Sequence, residues 1–454
     1  MRPRKALLVG IWVLFLLPPA GCSEAEPQGQ SDPSYISYFN LLTKGSDAKE
    51  ESLQQIDRTW HGSSPAMLLE AIQFTRNSSV AESVFRILGR KSGEAIPPNR
   101  DAWLRWTWSQ PYEPHPDYAA FKADLYARRD PRFREYFEHT DNAAIRLDEI
   151  CWGGVRRDGI PPLDDPKMMT ADEVGWLEDS NIVFGVSLNG EARCYPKRIL
   201  AWHEMFKDTI GGESVCGVYC TLCGSLIIYL TEFEGQHYEL GTSGFLYRSN
   251  KLMYDHETRS LWSTVTGEPV VGPLVDRGIK LERRYVVTTT WKEWRERHPQ
   301  TLVLSLETGH DRDYGEGVAY SRYFASDDLM FPVPELDDRL PNKAPVLALR
   351  HDDLQLAIDT EYLRTHDVYH DELGELRFVV LTDESGACRV FESAGMEFTK
   401  WDGKSSVKSS DGATWTLTED ALVDESGHRL ERIPAHRAFW FGWFAQYPET
   451  RLVK

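Results

Sequence analysis

The stretch IVFGVSLNGEARCYP (182–196) decides how this chain is expected to fold. It contains two runs of alternating apolar residues, one on each side of Asn189-Gly190. Asn-Gly between two such runs strongly favours a two-residue type I′ turn. The stretch therefore predicts a β-hairpin, and Pro196 at its end is suited to begin the helix that we predict over 197–207.

The pattern of this hairpin returns later in the chain. With an offset of 163 residues, the segment 182–228 lies over 345–391 without a gap. Further along, an offset of 149 residues places the W-x-x-W motif of 291–294 over that of 440–443. Chance does not keep order, spacing and a tryptophan motif together, so the two offsets indicate a tandem duplication.

The duplication defines the domain organisation that we expect. Copy one is placed at 150–310 and copy two at 335–454, with a connection at 311–334. Residues 35–149 repeat apolar residues at a spacing of three to four, for example over 80–88, which predicts helices and suggests short helical repeats. The expected fold class is α+β, with a helical N-terminal region followed by a tandemly duplicated, β-rich α+β domain.

The N-terminus has the features of an export signal. Basic residues precede an apolar stretch (6–20) that is too short to span a bilayer, and small residues precede Cys22. This pattern resembles a bacterial lipoprotein processing site, so we expect residues 1–21 to be removed and Cys22 to carry lipid. An uncleaved anchor or ordinary secretion is the alternative. Residues 22–34 are polar and rich in turn formers, which predicts a flexible tether.

These features predict a location in the bacterial cell envelope, anchored by lipid. Ser23 follows the lipidated cysteine, which favours the outer membrane, facing the periplasm. The chain of 454 residues has 70 acidic and 51 basic residues, a formal net charge of −19. Such acidity argues against a nucleic-acid partner, whose binding site is a basic patch or stripe. The hydrophobic content of 41% is that of a globular protein.

The cysteines of copy one form the main candidate site. The stretch VCGVYCTLCG (215–224) holds Cys220 and Cys223 as a C-x-x-C pair at the end of a predicted strand. Copy two has no cysteine at the matching positions, so we interpret it as a degenerate structural partner and the pair as functional. Three uses fit the pair: cycling between dithiol and disulfide, holding a soft metal such as zinc or copper, and forming a static disulfide.

A metal site would need about two ligands more than this pair. Cys216 and His203 are the candidates in copy one. His203 has a counterpart in His366, where the thiols are missing, which favours a hydrogen-bonding role. Cys216 is alternatively a resolving thiol or a core residue.

Five motifs together have a recognisable pattern. They are GGVRRDGIPPL (153–163), ARCYPKRILAWHEMFKD (192–208), VYCTLCGSL (218–226), TSGFLYRSNKLMYDHETRSLWS (242–263) and HRAFWFGWFAQYPET (436–450). In these motifs, the chain resembles a prokaryotic family catalogued as domain of unknown function 3179, over about residues 150–454. Some members are catalogued as selenoproteins, which implies selenocysteine at the position of Cys223 and favours redox chemistry.

The resemblance implies a thiol–disulfide redox protein in which Cys223 attacks and Cys220 resolves. We expect an unknown protein or small-thiol redox partner and no firm cofactor. The alternatives are a zinc- or copper-binding protein that uses the same cysteines and a non-catalytic interaction protein stabilised by a disulfide. The candidate supporting residues are Cys216, Tyr219, His203, Ser243, Arg248 and Asp255.

Overall fold

The computed structural model describes residues 35–43 and 45–454 of the chain. The predicted signal peptide (1–21), the lipidation of Cys22 and the tether (22–34) lie outside the described residues. Across the part of the chain that is described, no helix is both long enough and apolar enough to cross a membrane.

The N-terminal region is helical, as its apolar spacing predicts. Asn77 begins the helix over Ser78–Ser92 by accepting a backbone N–H at 3.0 Å, and Gly93 ends it in a left-handed conformation (φ 77°). The apolar face of this helix belongs to a core that also contains Phe245 and Leu252 of copy one, so the helices and copy one fold as one body. The helices are α1 (Ile36–Thr43), α2 (Ser46–Arg58), α3 (Ser64–Ile72), α4 (Ser78–Ser92), α5 (Arg100–Ser109) and α6 (Tyr118–Ala127), followed by 3₁₀ helices at Pro131–Phe137 and Leu147–Glu149.

Copy one contains the predicted hairpin, formed by Ile182–Leu188 and Glu191–Pro196. Its strands are β1 (Ile150–Trp152), β2 (Leu163–Asp164), β3 (Met168–Thr170), β4 (Ile182–Leu188), β5 (Glu191–Pro196), β6 (Met205–Ile210), β7 (Glu213–Cys220), β8 (Ser225–Leu230), β9 (Glu232–Phe233), β10 (Gln236–His237), β11 (Leu240–Tyr247), β12 (Asn250–Asp255), β13 (Leu261–Ser263), β14 (Pro269–Val271), β15 (Arg283–Arg284), β16 (Val287–Thr290) and β17 (Leu302–Leu304). Its helices are the 3₁₀ helix Ala171–Glu173, α7 (Lys197–His203) and α8 (Trp291–Arg297).

These strands form sheets that we name by their content. The hairpin sheet has the order β16-β4-β5-β17-β3, and the cysteine sheet has the order β15-β8-β7-β6-β2. The meander sheet has the order β1-β11-β12-β13-β14, and β9 pairs with β10 in a small hairpin. The cysteine sheet carries the thiol pair, and the meander sheet links it to the N-terminal helices.

Copy two repeats the arrangement after a connection that contains α9 (Ser321–Phe324). Its sheets have the orders β28-β18-β19-β29, β20-β21-β22 and β23-β24-β25-β26-β27. The elements are β18 (Pro345–His351), β19 (Leu354–Asp359), α10 (Thr360–Thr365), β20 (Val368–Leu373), β21 (Leu376–Thr382), β22 (Cys388–Glu392), β23 (Phe398–Trp401), β24 (Ser406–Ser409), β25 (Thr414–Leu417), β26 (Ala421–Asp424), β27 (Arg429–Glu431), β28 (Ala435–Phe439), α11 (Trp440–Phe444) and β29 (Arg451–Val453).

The strand register confirms the duplication. Val183 pairs with Pro196 in copy one, and Val346 pairs with Asp359 in copy two, each 163 residues later. The antiparallel pairing of β16 with β4 and the parallel pairing of β17 with β5 return as β28 with β18 and β29 with β19, in the same register. The two offsets found in the sequence therefore describe one fold used twice.

The W-x-x-W motif is architectural in both copies. Trp294 Nε1 donates to Thr301 Oγ1 at 3.0 Å, and Trp443 Nε1 donates to Thr450 Oγ1 at 2.9 Å. Both indoles are buried, so each N–H needs such a partner. The motif thus anchors the helix that follows β16 in copy one and the helix that follows β28 in copy two.

The helix predicted over 197–207 is shorter than expected. It ends at His203, because Glu204 takes a left-handed conformation (φ 56°) and Met205–Ile210 continues as a strand paired with β7. The periodicity of this stretch did not reveal the break. The break matters for function, since it places Glu204 beside the thiols.

The turn that carries the cysteines has a shorter counterpart in copy two. In copy one, Tyr219 pairs with Leu226 and then Cys220 with Ser225, whereas in copy two the equivalent of the Tyr219–Leu226 pair is Thr382 with Cys388. The offset therefore falls from 163 to 162 across the turn, and the ungapped alignment is wrong by one residue beyond it. By this register, Asp383 stands at the position of Cys220.

Each copy covers the turn of the other copy. The cysteine turn (220–225) lies under α11 of copy two, where the Phe439 N–H donates to the Cys223 carbonyl at 2.7 Å. The aspartate turn (383–387) lies under α8 of copy one. In the same way, β28 lies beside β8 and β16 lies beside β22. The two copies are thus related by an approximate twofold axis.

Candidate functional site

Cys220 and Cys223 lie together at the end of β7. Cys220 is the last residue of the strand, and the turn brings Cys223 back so that its N–H donates to the Cys220 carbonyl at 3.1 Å. Both are free thiols, and the carbonyl oxygen of Ser249 lies 3.7 Å from Cys220 Sγ and 3.3 Å from Cys223 Sγ. Exposure is 2% for Cys220 and 0% for Cys223. The predicted pair is therefore an enclosed dithiol.

The two thiols differ in acidity. A hydrogen bond from the Cys223 thiol is the main effect that lowers the pKa of Cys220, and the backbone N–H groups of Lys251 and Cys223 assist it against the opposing effect of burial. Burial, and then the hydrogen bond to Cys220, holds the pKa of Cys223 well above its ordinary value. This geometry favours a thiolate on Cys220 and the proton on Cys223, the reverse of the order that the family resemblance implies.

A strained turn presents the Ser249 carbonyl to both thiols. Arg248 (φ 48°) and Ser249 (φ 62°) join β11 to β12 in left-handed conformations that non-glycine residues adopt at an energetic cost. The Arg248 guanidinium holds the turn, with Nε 2.5 Å from Glu149 Oε2 and Nη1 donating to the Ala445 carbonyl at 3.1 Å. Arg248 is thus a positioning residue that links the helical region, copy one and copy two.

A small cavity adjoins Cys220. Its volume is about 60 Å³, and its walls are mostly apolar. Lys251 and Glu204 line it as a buried ion pair, with Nζ 2.6 Å from Oε2, and the Tyr320 hydroxyl donates to Glu204 Oε1 at 3.2 Å. The apolar lining includes Val155, Ile160, Leu222, Phe245, Leu246 and Phe331. The thiol therefore adjoins a small space that is lined by both a cation and a carboxylate.

Sequence reasoning missed this ion pair. Basic residues are scarce along the chain near the cysteines, and Lys251 reaches them because β12 lies beside the end of β7. Glu204 reaches them because α7 ends earlier than predicted. Both residues do lie inside the motifs 192–208 and 242–263, which was the signal that could have found them.

The structure places His203 and Cys216 apart from the thiol pair. His203 uses both ring nitrogens elsewhere, with Nδ1 2.9 Å from the Pro161 carbonyl and Nε2 2.6 Å from the Tyr314 hydroxyl. Burial lowers its pKa to about 4. Cys216 lies four residues before Cys220 on a regular strand, which is about 13 Å and too far for a disulfide. Burial raises the pKa of Cys216 to about 12, as for a core residue.

Three other predicted residues have structural contacts instead of contacts with the thiols. Tyr219 points to the opposite face of β7, where its ring centroid lies 5.1 Å from that of Phe184. Ser243 Oγ donates to the Leu252 carbonyl at 2.5 Å, inside an irregularity of β11. Asp255 accepts the Trp262 indole N–H at 3.1 Å and closes the turn that follows β12. These residues hold the meander sheet and the core behind the site.

A metal site is not assembled around these cysteines. Among the described residues, no three His, Cys, Asp or Glu side chains come together in a group that could hold a metal ion. Zinc or copper binding, predicted as the alternative, therefore stays a prediction for metal analysis to test.

Comparison of the chain with known protein families gives one match. A family model described as "Protein of unknown function (DUF3179)" matches residues 157–450. The chain belongs to this family. The match confirms the resemblance found in the sequence, and in this DUF3179 protein it extends over the cysteine turn and α11 alike. No curated protein and no solved structure matches the chain.

Gly442 of this DUF3179 protein is required by the close approach of α11 to Cys223. A Cβ built on Gly442 would lie 2.9 Å from Cys223 Sγ and 2.9 Å from its Cβ. Glu293, the equivalent residue of α8 at the offset of 149, instead contacts Arg389 over the aspartate turn, at 3.3 Å. We expect Gly442→Ala to lower the free energy of unfolding by about 1–3 kcal/mol, because the Cβ and Sγ atoms of the buried Cys223 cannot move away from the added methyl group freely.

Chemical denaturation measures this effect. The matched control is Gly89→Ala in α4, where an added Cβ has its nearest contact at 3.5 Å and helix propensity favours alanine by about 1 kcal/mol. An unchanged or higher stability for Gly442→Ala would contradict the tight packing of copy two on the thiol pair.

Proposed function

We propose that this protein is a thiol–disulfide redox protein in which Cys220 is the nucleophile and Cys223 is the resolving thiol. The observation that supports it is the opposite acidity of two hydrogen-bonded thiols in one turn, with the lower pKa on the thiol that lines a cavity. A structural disulfide does not depend on a difference between the pKa values of its two thiols, whereas exchange needs one thiolate and one protonated thiol.

The exchange step balances with a partner disulfide. The Cys220 thiolate attacks one sulfur of that disulfide, a mixed disulfide forms, and the leaving thiolate takes a proton. Cys223 then loses its proton and attacks Cys220 Sγ, which releases the second partner thiol. Two electrons and the Cys223 proton pass from the pair to the partner, a second proton comes from solvent, and the reverse sequence oxidises a partner dithiol.

The surrounding groups support each state of the pair. The N–H groups of Lys251 and Cys223 stabilise the Cys220 thiolate, and the Ser249 carbonyl lies 3.7 Å from Cys220 Sγ and 3.3 Å from Cys223 Sγ, where it can accept from the thiol of the fully protonated pair. The Lys251 ammonium and the Glu204 carboxylate neutralise each other, so this pair adds no net charge to the wall of the cavity. Copy two contributes the wall that keeps Cys223 away from solvent.

A redox titration tests the proposal. The full-length protein is equilibrated in glutathione buffers of known potential, the Cys220–Cys223 pair is quantified by alkylation and mass spectrometry, and metal content is measured on the same preparation. We expect a reversible two-electron couple less negative than about −300 mV, which Cys216→Ser leaves unchanged. A potential below about −300 mV would identify an inert bridge, and stoichiometric zinc or copper would support the metal-binding alternative.

A further inference from the structure

The thiol pair is reached through a narrow space. Cys220 is 2% exposed and Cys223 is fully buried, so exchange with a partner disulfide needs the site to open, whereas a small molecule can reach Cys220 from the cavity. The cavity beside Cys220 has about 60 Å³, which is room for a few water-sized groups. A small molecule can therefore occupy the space next to the Cys220 sulfur.

A polar group in this cavity lacks a partner. Thr221, the residue between the cysteines of the turn, lines the cavity and is 0% exposed. Within the described part of the chain, its Oγ1 is a buried atom that makes no hydrogen bond. Buried hydroxyl groups are normally paired by protein, water or a ligand. The hydroxyl belongs to the residue that follows Cys220, and no described protein group competes for its proton.

The cavity also contains a proton donor. The Lys251 ammonium is buried and held by Glu204 at 2.6 Å, while the Lys251 backbone N–H stabilises the Cys220 thiolate. A nucleophilic sulfur, a free hydroxyl and an ammonium group thus converge on a space with apolar walls. Such an arrangement suits a small neutral molecule in which the sulfur attacks one atom and the neighbouring oxygen departs as an anion, since the donors can stabilise that developing negative charge.

We propose that this cavity binds a small hydroperoxide and that Cys220 reduces it, an inference that rests on the proposed function and names its oxidant. The Cys220 thiolate attacks one peroxide oxygen, the O–O bond breaks, and the leaving oxygen takes a proton from Lys251, with Thr221 Oγ1 donating a hydrogen bond to it. Cys220 becomes a sulfenic acid. The Cys223 thiol then attacks Cys220 Sγ, the disulfide forms, and water leaves. Lys251 regains its proton from solvent. The thiolate–thiol pair, a hydroperoxide and one proton thus give a disulfide, an alcohol or water, and a water molecule, and two partner thiols or one partner dithiol reduce the pair again.

Single-turnover oxidation tests the inference. The full-length protein is reduced, freed of reductant, and mixed with hydrogen peroxide or with tert-butyl hydroperoxide, and the Cys220–Cys223 disulfide is followed by quenched mass spectrometry. We expect hydrogen peroxide to oxidise the pair about 100-fold faster than it oxidises the thiols of the unfolded chain, and faster than the bulkier probe does. Thr221→Val is expected to slow this reaction about 10- to 100-fold, and Thr221→Ser to retain it.

The control is Thr266→Val. Thr266 has a buried Oγ1 without a hydrogen-bond partner among the described residues, like Thr221, but it does not line the cavity. We expect Thr266→Val to leave the peroxide rate unchanged, and both valine variants to keep the wild-type reduction potential. A pair that titrates reversibly but reacts with peroxide no faster than unfolded thiols would overturn the hydroperoxide inference alone. A Thr221→Val variant whose potential shifts would assign the threonine a structural role and also overturn it. Loss of the reversible couple itself would overturn the proposed function.

Discussion

Cys220→Ser is expected to abolish thiol–disulfide exchange, with a loss of at least about 10³-fold, as removal of a nucleophile causes in other enzymes. Cys223→Ala is expected to give a different result, because Cys220 still attacks but nothing resolves the product. The variant should accumulate as a stable mixed disulfide with a small disulfide such as that of glutathione. Intact-mass measurement after incubation with the disulfide separates the two outcomes.

The same pair of variants tests the assigned order of the thiols. Cys223→Ala removes the hydrogen bond that most lowers the pKa of Cys220, so burial then dominates and the pKa of Cys220 rises. Alkylation of Cys220 should therefore begin at higher pH in Cys223→Ala than in the wild-type protein. Cys216→Ser is the control, since Cys216 lies outside the turn and should change neither profile. A mixed disulfide that accumulates on Cys223 in the Cys220→Ser variant would instead support the order that the family resemblance implies.

Arg389→Met is expected to cause the largest loss of stability, about 3–5 kcal/mol. Arg389 is 1% exposed and contacts three carboxylates, at 3.0 Å for Asp383, 2.9 Å for Glu419 and 3.3 Å for Glu293. Methionine fills a similar volume but leaves these charges without their central cation. The free energy of unfolding, measured by chemical denaturation at neutral pH, checks the expectation.

The pH dependence of this loss has a defined sign. Burial opposes the ionisation of Glu419, but Arg389 and Arg432 outweigh it and hold its pKa well below 4.5. Glu419 thus stabilises the wild-type protein above pH 4.5, and this contribution is lost as the pH falls through the folded-state pKa. In Arg389→Met the carboxylates protonate more readily, so the difference from wild type should shrink as the pH falls towards 4.5.

A surface ion pair provides the matched control. Arg429 pairs with Glu431 at 3.1 Å, and both side chains are about half exposed. We expect Arg429→Met to change the free energy of unfolding by less than about 1 kcal/mol, because solvent screens this pair. If Arg389→Met destabilised the protein no more than Arg429→Met, the buried cluster would not hold copy two on α8.

The sequence predicted those parts of the fold that depend on local patterns. The hairpin at Asn189-Gly190 and the W-x-x-W helices follow from alternation, turn chemistry and buried tryptophan, all of which operate within a few residues. The duplication was visible because both copies keep these patterns at fixed offsets. The end of α7 at His203 was missed, since a single left-handed residue, Glu204, breaks the helix without a glycine or proline to mark it.

The sequence predicted the pair of thiols, but it did not predict which other groups surround them. Cys220 and Cys223 are neighbours in sequence, so their proximity could be predicted. Glu204 follows α7, whereas the Ser249 carbonyl and Lys251 come from the residues around the start of β12, so these two other segments meet the thiols only because of how β12 lies against β7. The acidity of each thiol depends on these distant groups. For that reason, the order of the two thiols could not be predicted from spacing.

Each copy packs a helix on the turn of the other copy, and this arrangement explains how the two copies can differ in sequence at equivalent positions. In an isologous dimer of identical subunits, each partner completes the other's site, so both sites are equal. Here the same arrangement is contained in one polypeptide, and Gly442 and Glu293 can differ because they are encoded separately. The α11 side of the interface, with Gly442, leaves room for the Cys223 sulfur, and the α8 side, with Glu293, contributes a charged contact between the two copies. In a homodimer the two helices could not differ in this way, because a substitution in the gene changes the same residue in both subunits.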